Sequence, residues 1–154
     1  MAVYQPEGSL MARQAQALGL TSKILTEDAV YHPKFIEVGG KATEGIYLTF
    51  AKAPETQMRK DFENAYKETW GVDSIGSYAY YAYDAATILL DAIKKAGTTD
   101  TDKVADTLRN TTWEGVSGEI KFDEKGDRKL AHVIWIVKDG KFVPYWDPLT
   151  GQYF

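Results

Sequence analysis

The alternation of helical and strand-like patterns over residues 1–50 is the feature that most constrains the fold of this chain. A helix is predicted over about 7–18, opened by Pro6-Glu7 and closed at Gly19. Short strands are predicted over 23–26 and 45–50, with a short helix beginning at Pro33 between them. A strand, helix, strand order indicates a βαβ unit with parallel pairing. The apolar face predicted for the first helix comprises Leu10, Met11, Gln14, Ala15 and Leu18.

The middle of the chain is predicted to be helical, over 55–69, 77–96 and 101–110. The third of these helices has Asp100 or Thr101 as its N-cap. The apolar stripe of the helix at 55–69 comprises Met58, Phe62, Ala65, Tyr66 and Thr69. The polar stripe of the helix at 77–96 comprises Asp84, Thr87, Asp91, Lys94 and Lys95. Because the rest of that helix is apolar, we expect more than half of its circumference to be buried.

The last 37 residues favour antiparallel strands. "GEIKFDEKGDRK" predicts a strand that runs into a turn, and "AHVIWIVKDGKFVPYW" predicts a hairpin. The Asp139-Gly140 pair is a strong signal for the turn of that hairpin. From the residues alone, the chain is an α/β domain with an antiparallel tail.

Composition excludes several classes of function. A net charge of −4 and a pI near 5.2 do not suit a binder of the phosphate backbone, so no nucleic-acid partner is expected. No stretch approaches the ~20 apolar residues of a membrane span. The N-terminal sequence "MAVYQPEGSL" has neither the basic nor the apolar region of a signal peptide, so we expect no secretion signal in this chain. The absence of cysteine excludes disulfides and thiolate chemistry.

Catalytic and metal-binding patterns are missing from the sequence. His32 and His132 have no partner at ligand spacing, so we predict no metal site. "GVSG" at 115–118 lacks the GxSxG spacing of a nucleophile elbow and is predicted to be a loop. "DEKGD" at 123–127 has lysine where a calcium loop needs Asp or Asn, so a solvated turn is expected. We therefore predict no catalytic residue, no cofactor and no enzymatic activity.

Four blocks of the sequence resemble consecutive segments of one family. They are "YQPEGSLMARQAQALGL", "ILTEDAVYHPKFIEVGGKATEGIYLTF", "GSYAYYAYDAATILLDAIKKAG" and "GVSGEIKFDEKGDRKLAHVIWIVKDGKFV". Their order and spacing are similar to those of the branched-chain amino acid substrate-binding proteins of ABC transporters. The resemblance covers nearly the whole chain, and "FDEKGDR" followed by an aromatic strand and "DGKFV" is its most specific part.

The resemblance implies a type I periplasmic-binding fold, in which two Rossmann-like lobes enclose the ligand. Residues 1–50 and 131–154 are expected to belong to the second lobe, and 51–130 to the C-terminal portion of the first lobe. The N-terminal half of the family fold is expected to be absent. The helices at 55–69 and 77–96 would then lack a sheet to cover them. We expect the chain to rearrange, to form a domain-swapped homo-oligomer, or to need a missing fragment.

The resemblance also implies which residues contact a ligand. Tyr4 matches an aromatic residue in the cleft at a strand end, and Tyr78 matches a residue that faces the cleft at a helix start. Asp28 matches the acidic residue that receives the ligand's ammonium group, with Glu27 beside it as the competing candidate. The other tyrosines near Tyr78, namely Tyr80, Tyr81 and Tyr83, are expected to pack against the sheet.

The function implied by the resemblance is capture of an aliphatic amino acid, such as leucine, isoleucine or valine, for delivery to an ABC permease. The parent protein is then expected in the periplasm or another extracytoplasmic space. The alternative is an amino-acid or amide sensor, since regulators share the fold. The family's groups for the ligand carboxylate lie on first-lobe loops, so this chain is expected to hold at most half of a site and to bind ligand weakly or not at all.

Overall fold

The computed structural model describes residues 1–128, 130 and 132–154. The helices are α1 (Glu7–Ala17), α2 (Pro33–Gly39), α3 (Gln57–Trp70), α4 (Tyr78–Ala96) and α5 (Thr101–Asn110). The strands are β1 (Leu25–Thr26), β2 (Tyr47–Ala51), β3 (Trp113–Gly115), β4 (Gly118–Ile120), β5 (His132–Lys138), β6 (Lys141–Asp147) and β7 (Gln152–Tyr153). The mixed α/β class predicted from the sequence is confirmed.

The chain divides into two compact units. One, called here the split unit, comprises Met1–Lys52 and Ala131–Phe154. The other, the continuous unit, comprises Ala53–Leu130. The assignment of these units to the second lobe and to part of the first lobe of a two-lobe protein stays a prediction. Lys129 and Ala131, next to the predicted boundary, lie outside the described residues.

The split unit is built on a five-stranded sheet with the order β1-β2-β5-β6-β7. β1 pairs with β2 in parallel, through a connection that contains α2, which confirms the predicted βαβ unit. All the other neighbours in this sheet are antiparallel. Six buried apolar side chains form the core between the sheet and the helices: Ala12, Val30, Phe35, Ile46, Leu48 and Val137.

The β5–β6 hairpin turns at Asp139 and Gly140, as predicted. Both residues have positive φ, 51° and 69°, which is the conformation that this two-residue turn requires. Glu44 holds the turn from outside, since its carboxylate accepts hydrogen bonds from the backbone N–H groups of Asp139 (3.0 Å) and Gly140 (2.7 Å). Ala131, the first residue of the predicted hairpin segment, lies outside the described residues.

The buried face of α1 differs from the predicted one. The residues that α1 buries are Gly8, Ser9 and Ala12, whereas Leu10, Met11 and Leu18 are exposed. The reason is close packing: a Cβ atom on Gly8 would lie 2.9 Å from Cγ1 of Val30. Only small residues allow the helix to come this near to its neighbours.

The continuous unit contains α3, α4, α5 and the antiparallel β3–β4 hairpin. Two of its helices are followed by a left-handed glycine, α3 by Gly71 (φ 62°) and α4 by Gly97 (φ 67°). Asp100 caps the start of α5, where its side chain accepts a hydrogen bond from the Lys103 N–H. The Val116-Ser117 pair, inside the "GVSG" segment that the sequence predicts as a loop, is the turn of the β3–β4 hairpin.

The predicted polar stripe of α4 is wrong at Asp84. This residue is only 3% exposed, whereas Leu89 and Leu90 on the same helix are 46% and 67% exposed. Its carboxylate is buried because it accepts hydrogen bonds from the β3–β4 turn. The expectation that more than half of α4 is buried is also wrong, since its buried residues are Asp84, Ile88 and Ala92.

Candidate functional site

The first part of the candidate site lies where β1 ends, in the split unit. After Thr26 the chain leaves the sheet and forms a 3₁₀ segment, Asp28–Val30. Val30 anchors this segment in the core with no exposed surface, and the ring of Tyr31 stacks on Phe50 at a centroid distance of 4.3 Å. Asp28 therefore lies on a turn that is fixed at its C-terminal end by two packed side chains.

Glu27, one of the two candidate acids, uses both of its carboxylate oxygens within the protein. Oε2 accepts the N–H of Ala29 at 2.9 Å, which caps the 3₁₀ segment. Oε1 accepts the N–H of Val3 at 3.1 Å. The carboxylate of Glu27 thus joins the segment that contains Asp28 to the segment that contains Tyr4.

Tyr4 and Asp28 are both exposed. Tyr4 is 77% exposed and immediately precedes the first turn of α1, where its carbonyl accepts the N–H of Gly8 at 2.9 Å. Asp28 begins the 3₁₀ segment, and its carbonyl accepts the N–H of Tyr31 at 2.9 Å. An aromatic ring and a carboxylate thus lie on two segments that Glu27 connects.

Two polar atoms beside these residues are buried. Gln5 Nε2 and Thr26 Oγ1 have no hydrogen-bond partner among the described residues. Gln5 follows Tyr4 in the chain, and Thr26 precedes Glu27. Buried polar groups are normally hydrogen-bonded, so these two atoms mark places where water or a ligand would complete the bonding at this end of the sheet.

Tyr78, the fourth candidate residue, belongs to the continuous unit. It is the first residue of α4 and is 47% exposed. An exposed ring at a helix start is what the predicted cleft position requires, but its role stays a prediction. Tyr4, Glu27 and Asp28 lie on linked segments of the split unit. Tyr78 lies on α4 of the continuous unit.

Two of the neighbouring tyrosines, Tyr80 and Tyr83, do not pack as expected. The rings of Tyr80 and Tyr83 lie against Phe62 of α3, at centroid distances of 5.5 and 4.8 Å, and not against a sheet. In the described part of the continuous unit the sheet has only the two short strands β3 and β4. Helix-to-helix packing therefore takes the place of the expected helix-to-sheet packing.

Tyr80 also belongs to a charged cluster between α3 and α4. Its hydroxyl donates to Glu63 Oε1 at 2.7 Å, and Arg59 Nε donates to the same oxygen at 3.0 Å. Burial and the hydrogen bond to Glu63 raise the pKa of Tyr80 to about 12. Burial opposes ionisation of Glu63, but the hydrogen bonds from Tyr80 and Arg59 outweigh it and lower the pKa of this carboxyl. This cluster is structural, because its polar groups satisfy one another.

An apolar groove of about 1160 Å³ runs along the continuous unit. It is lined by α3, α4 and the end of β3, with Met58, Phe62, Ala65, Tyr66 and Trp70 on the α3 side. No residue of α3, all of which the structure describes, is buried. The apolar stripe predicted from the sequence is therefore present and lines an open groove.

A buried network in the continuous unit was missed by the sequence analysis. Asp84 accepts hydrogen bonds from Val116 N at 2.7 Å, from Ser117 N at 2.9 Å and from the Ser117 hydroxyl. Arg128 then donates to Ser117 Oγ at 2.7 Å and to the carbonyl of Glu119 at 2.8 Å. The sequence offers one signal for this network, an acidic residue between apolar ones on a predicted helix, and the distant turn that Asp84 contacts is not part of that local pattern.

The described residues contain no group of three His, Asp or Glu side chains able to hold a metal ion. In that same part of the chain, no helix combines the length and apolar character needed to traverse a bilayer. His32, for which the sequence predicts no metal-binding role, caps α2, since its Nδ1 accepts the N–H of Lys34 at 3.1 Å.

Comparison with known proteins defines the class. The model of the periplasmic binding protein family matches residues 1–140, and the chain belongs to this family. The leucine-, isoleucine-, valine-, threonine- and alanine-binding protein of Pseudomonas aeruginosa is 36% identical over 127 residues. That match covers 82% of this chain and 34% of the relative.

Solved structures give the same result. A leucine binding protein from Thermotoga maritima has a TM-score of 0.81 and 36% identity, over 97% of this chain and 44% of that one. A substrate-binding protein from Desulfitobacterium hafniense in complex with Leu has a TM-score of 0.69 and 26% identity, over 89% and 39% of the two chains. The chain is thus similar to branched-chain amino acid binding proteins, and it spans about a third of the length of the curated relatives it matches.

Proposed function

We propose that this chain forms the C-terminal part of a non-catalytic solute-binding component of an ABC transporter, with a branched-chain or other hydrophobic amino acid as ligand. Family membership and the leucine-binding relatives support this proposal. The observation that argues for it most directly is that an exposed aromatic residue, Tyr4, and an exposed acidic residue, Asp28, lie on segments that Glu27 connects.

The chemistry of these side chains suits an aliphatic amino acid. An ammonium group removed from water needs a formal counter-charge and hydrogen-bond acceptors, which a carboxylate on Asp28 supplies. A tyrosine ring covers aliphatic surface while its hydroxyl stays in contact with water. In this proposal Tyr78 is a second candidate for a ring that covers the aliphatic part of the ligand.

Partners and location follow from the same proposal. The parent protein would bind its ligand in the periplasm or another extracytoplasmic space and deliver it to an ABC permease that recognises lobe closure. It would not be an enzyme. The alternative proposal, an amino-acid or amide sensor, rests on the shared fold alone.

The first test is calorimetric titration of leucine into the chain and into a chimera. In the chimera, this chain replaces the aligned segment of the Thermotoga maritima protein. We expect weak or no saturable heat from the chain alone, because it holds at most half of the site. We expect saturable heat from the chimera. Asp28→Ala should lower the chimera's affinity for leucine at least about tenfold, because the ammonium group of the ligand loses its counter-charge.

Glu37→Ala is the matched control for this experiment. It removes a carboxylate from the same unit, one whose ion-pair partner among the described residues is the exposed Lys34, and should leave affinity unchanged. A micromolar dissociation constant for the isolated chain would contradict the half-site proposal. Unchanged affinity in the Asp28→Ala chimera would contradict the ammonium assignment.

A further inference from the structure

The carboxylate of Glu27 bridges two segments that no strand pairing connects. Pairing between β1 and β2 ends at Thr26, which is opposite Leu48. Immediately beyond that point, each carboxylate oxygen of Glu27 accepts a hydrogen bond from one of the two segments. The donors are the backbone N–H groups of Val3 (3.1 Å) and Ala29 (2.9 Å). Charged acceptors make the stronger class of hydrogen bond, so this bridge holds both backbones where the sheet has ended.

The packing around this bridge favours a fixed geometry. Val30, two residues after Asp28, is fully buried and lies close to Gly8 in the first turn of α1. Val3 packs on the edge of the same core, and its Cγ2 would lie 3.2 Å from a Cβ on Gly8. The segments before α1 and after β1 therefore meet through apolar side chains on one side and through Glu27 on the other.

We propose that Glu27 is a positioning residue, which fixes the segment of Tyr4 relative to the segment of Asp28 and does not itself bind the ligand's ammonium group. The meaning of this role for ligand binding rests on the proposed function. Its physical basis does not, because both hydrogen bonds run between groups of this chain. A carboxylate that already accepts two backbone N–H groups has less capacity for a third partner.

The ligand-free test is amide hydrogen exchange, residue by residue, in the 154-residue chain. Glu27→Ala should speed exchange at both Val3 and Ala29 by at least about tenfold, as expected for loss of a hydrogen bond to a charged group. Glu27→Gln keeps one acceptor oxygen, so only one of these two amides should lose protection. Asp28→Asn is the matched control and should change neither. Unchanged exchange in Glu27→Ala would overturn the inference.

The ligand test compares leucine with 4-methylpentanoate, which lacks the ammonium group, in the chimera. Glu27→Gln should weaken binding of both compounds by the same factor, so that the ratio of their affinities is kept. Asp28→Asn should weaken the binding of leucine but not of 4-methylpentanoate, so that the preference for leucine falls. The same fall in Glu27→Gln would show that Glu27 binds the ammonium group and would overturn the inference. If the unmodified chimera binds neither compound, the proposed function fails, and the exchange result still decides the positioning role.

Discussion

Asp84 shows how one buried carboxylate organises a turn. Its two oxygens accept the backbone N–H groups of Val116 and Ser117 and the hydroxyl of Ser117, which in turn accepts from Arg128. The backbone comes so close that a Cβ on Gly115 would lie 2.5 Å from Cγ of Asp84. A glycine is therefore required there, and the turn and the helix are fitted to each other.

Replacing Asp84 should destabilise the continuous unit strongly. Asp84→Ala leaves two backbone N–H groups and a hydroxyl buried without acceptors, so we expect a loss of about 3 kcal/mol in the free energy of unfolding. Urea unfolding followed by circular dichroism measures this. Asp91→Ala removes an exposed carboxylate from the same helix and should cost far less. Equal midpoints for the two variants would contradict the role of the network.

At the scale of elements, α3 and α4 are held together by one cluster of aromatic and charged groups. Phe62 contacts the rings of Tyr80 and Tyr83, and the guanidinium of Arg59 lies 4.5 Å from the centroid of the Tyr80 ring. Glu63 joins Arg59 to the Tyr80 hydroxyl. The contact between these helices thus depends on Tyr80 staying protonated, because a phenolate would face the Glu63 carboxylate.

This dependence predicts a stability change at high pH. The pKa of Tyr80 is raised from 10.0 to about 12, so the folded state holds this proton more tightly than the unfolded chain. The stabilisation is fully present below pH 10 and is lost as the pH rises through about 12. In a phenolate absorbance titration, Tyr80→Phe should remove a late-titrating component. Tyr153→Phe, at a ring that is 65% exposed, is the matched control and should leave that component in place.

The sequence predicted most elements because periodicity and capping are local. Asp100 and the Asp139-Gly140 turn both occupy the predicted places. Local patterns could not show that Asp84 is buried, since that depends on a turn 32 residues away in the chain. For the same reason local patterns do not distinguish Glu27 from Asp28, because the Glu27 carboxylate accepts the N–H of Val3, 24 residues earlier in the chain.

At the scale of the whole molecule, the groove on the continuous unit is the main departure from an ordinary soluble surface. Met58 is 48% exposed, Trp70 68% and Tyr83 49%, and all three line it. Contiguous apolar surface of this kind normally mediates an interaction. The chain spans only 34% of a curated relative's length, so we interpret the groove as a surface that the rest of such a protein would cover.

In isolation, the chain should therefore associate with itself through the groove. Burying apolar surface is favourable by about 25 cal/mol per Å², and a second copy is the apolar partner always present in a pure sample. Sedimentation over a concentration series should give masses above the 17.2 kDa of one chain. Met58→Glu, which puts a charge in the groove, should return the mass to that of one chain.

The control is Leu149→Glu, at a side chain that is 78% exposed and belongs to the split unit, and it should leave the mass unchanged. A mass of one chain at every concentration would contradict self-association and leave rearrangement or a missing fragment as the explanation. A Met58→Glu variant that still associates would contradict association through the groove and would agree with copies that exchange elements, as in a domain-swapped homo-oligomer.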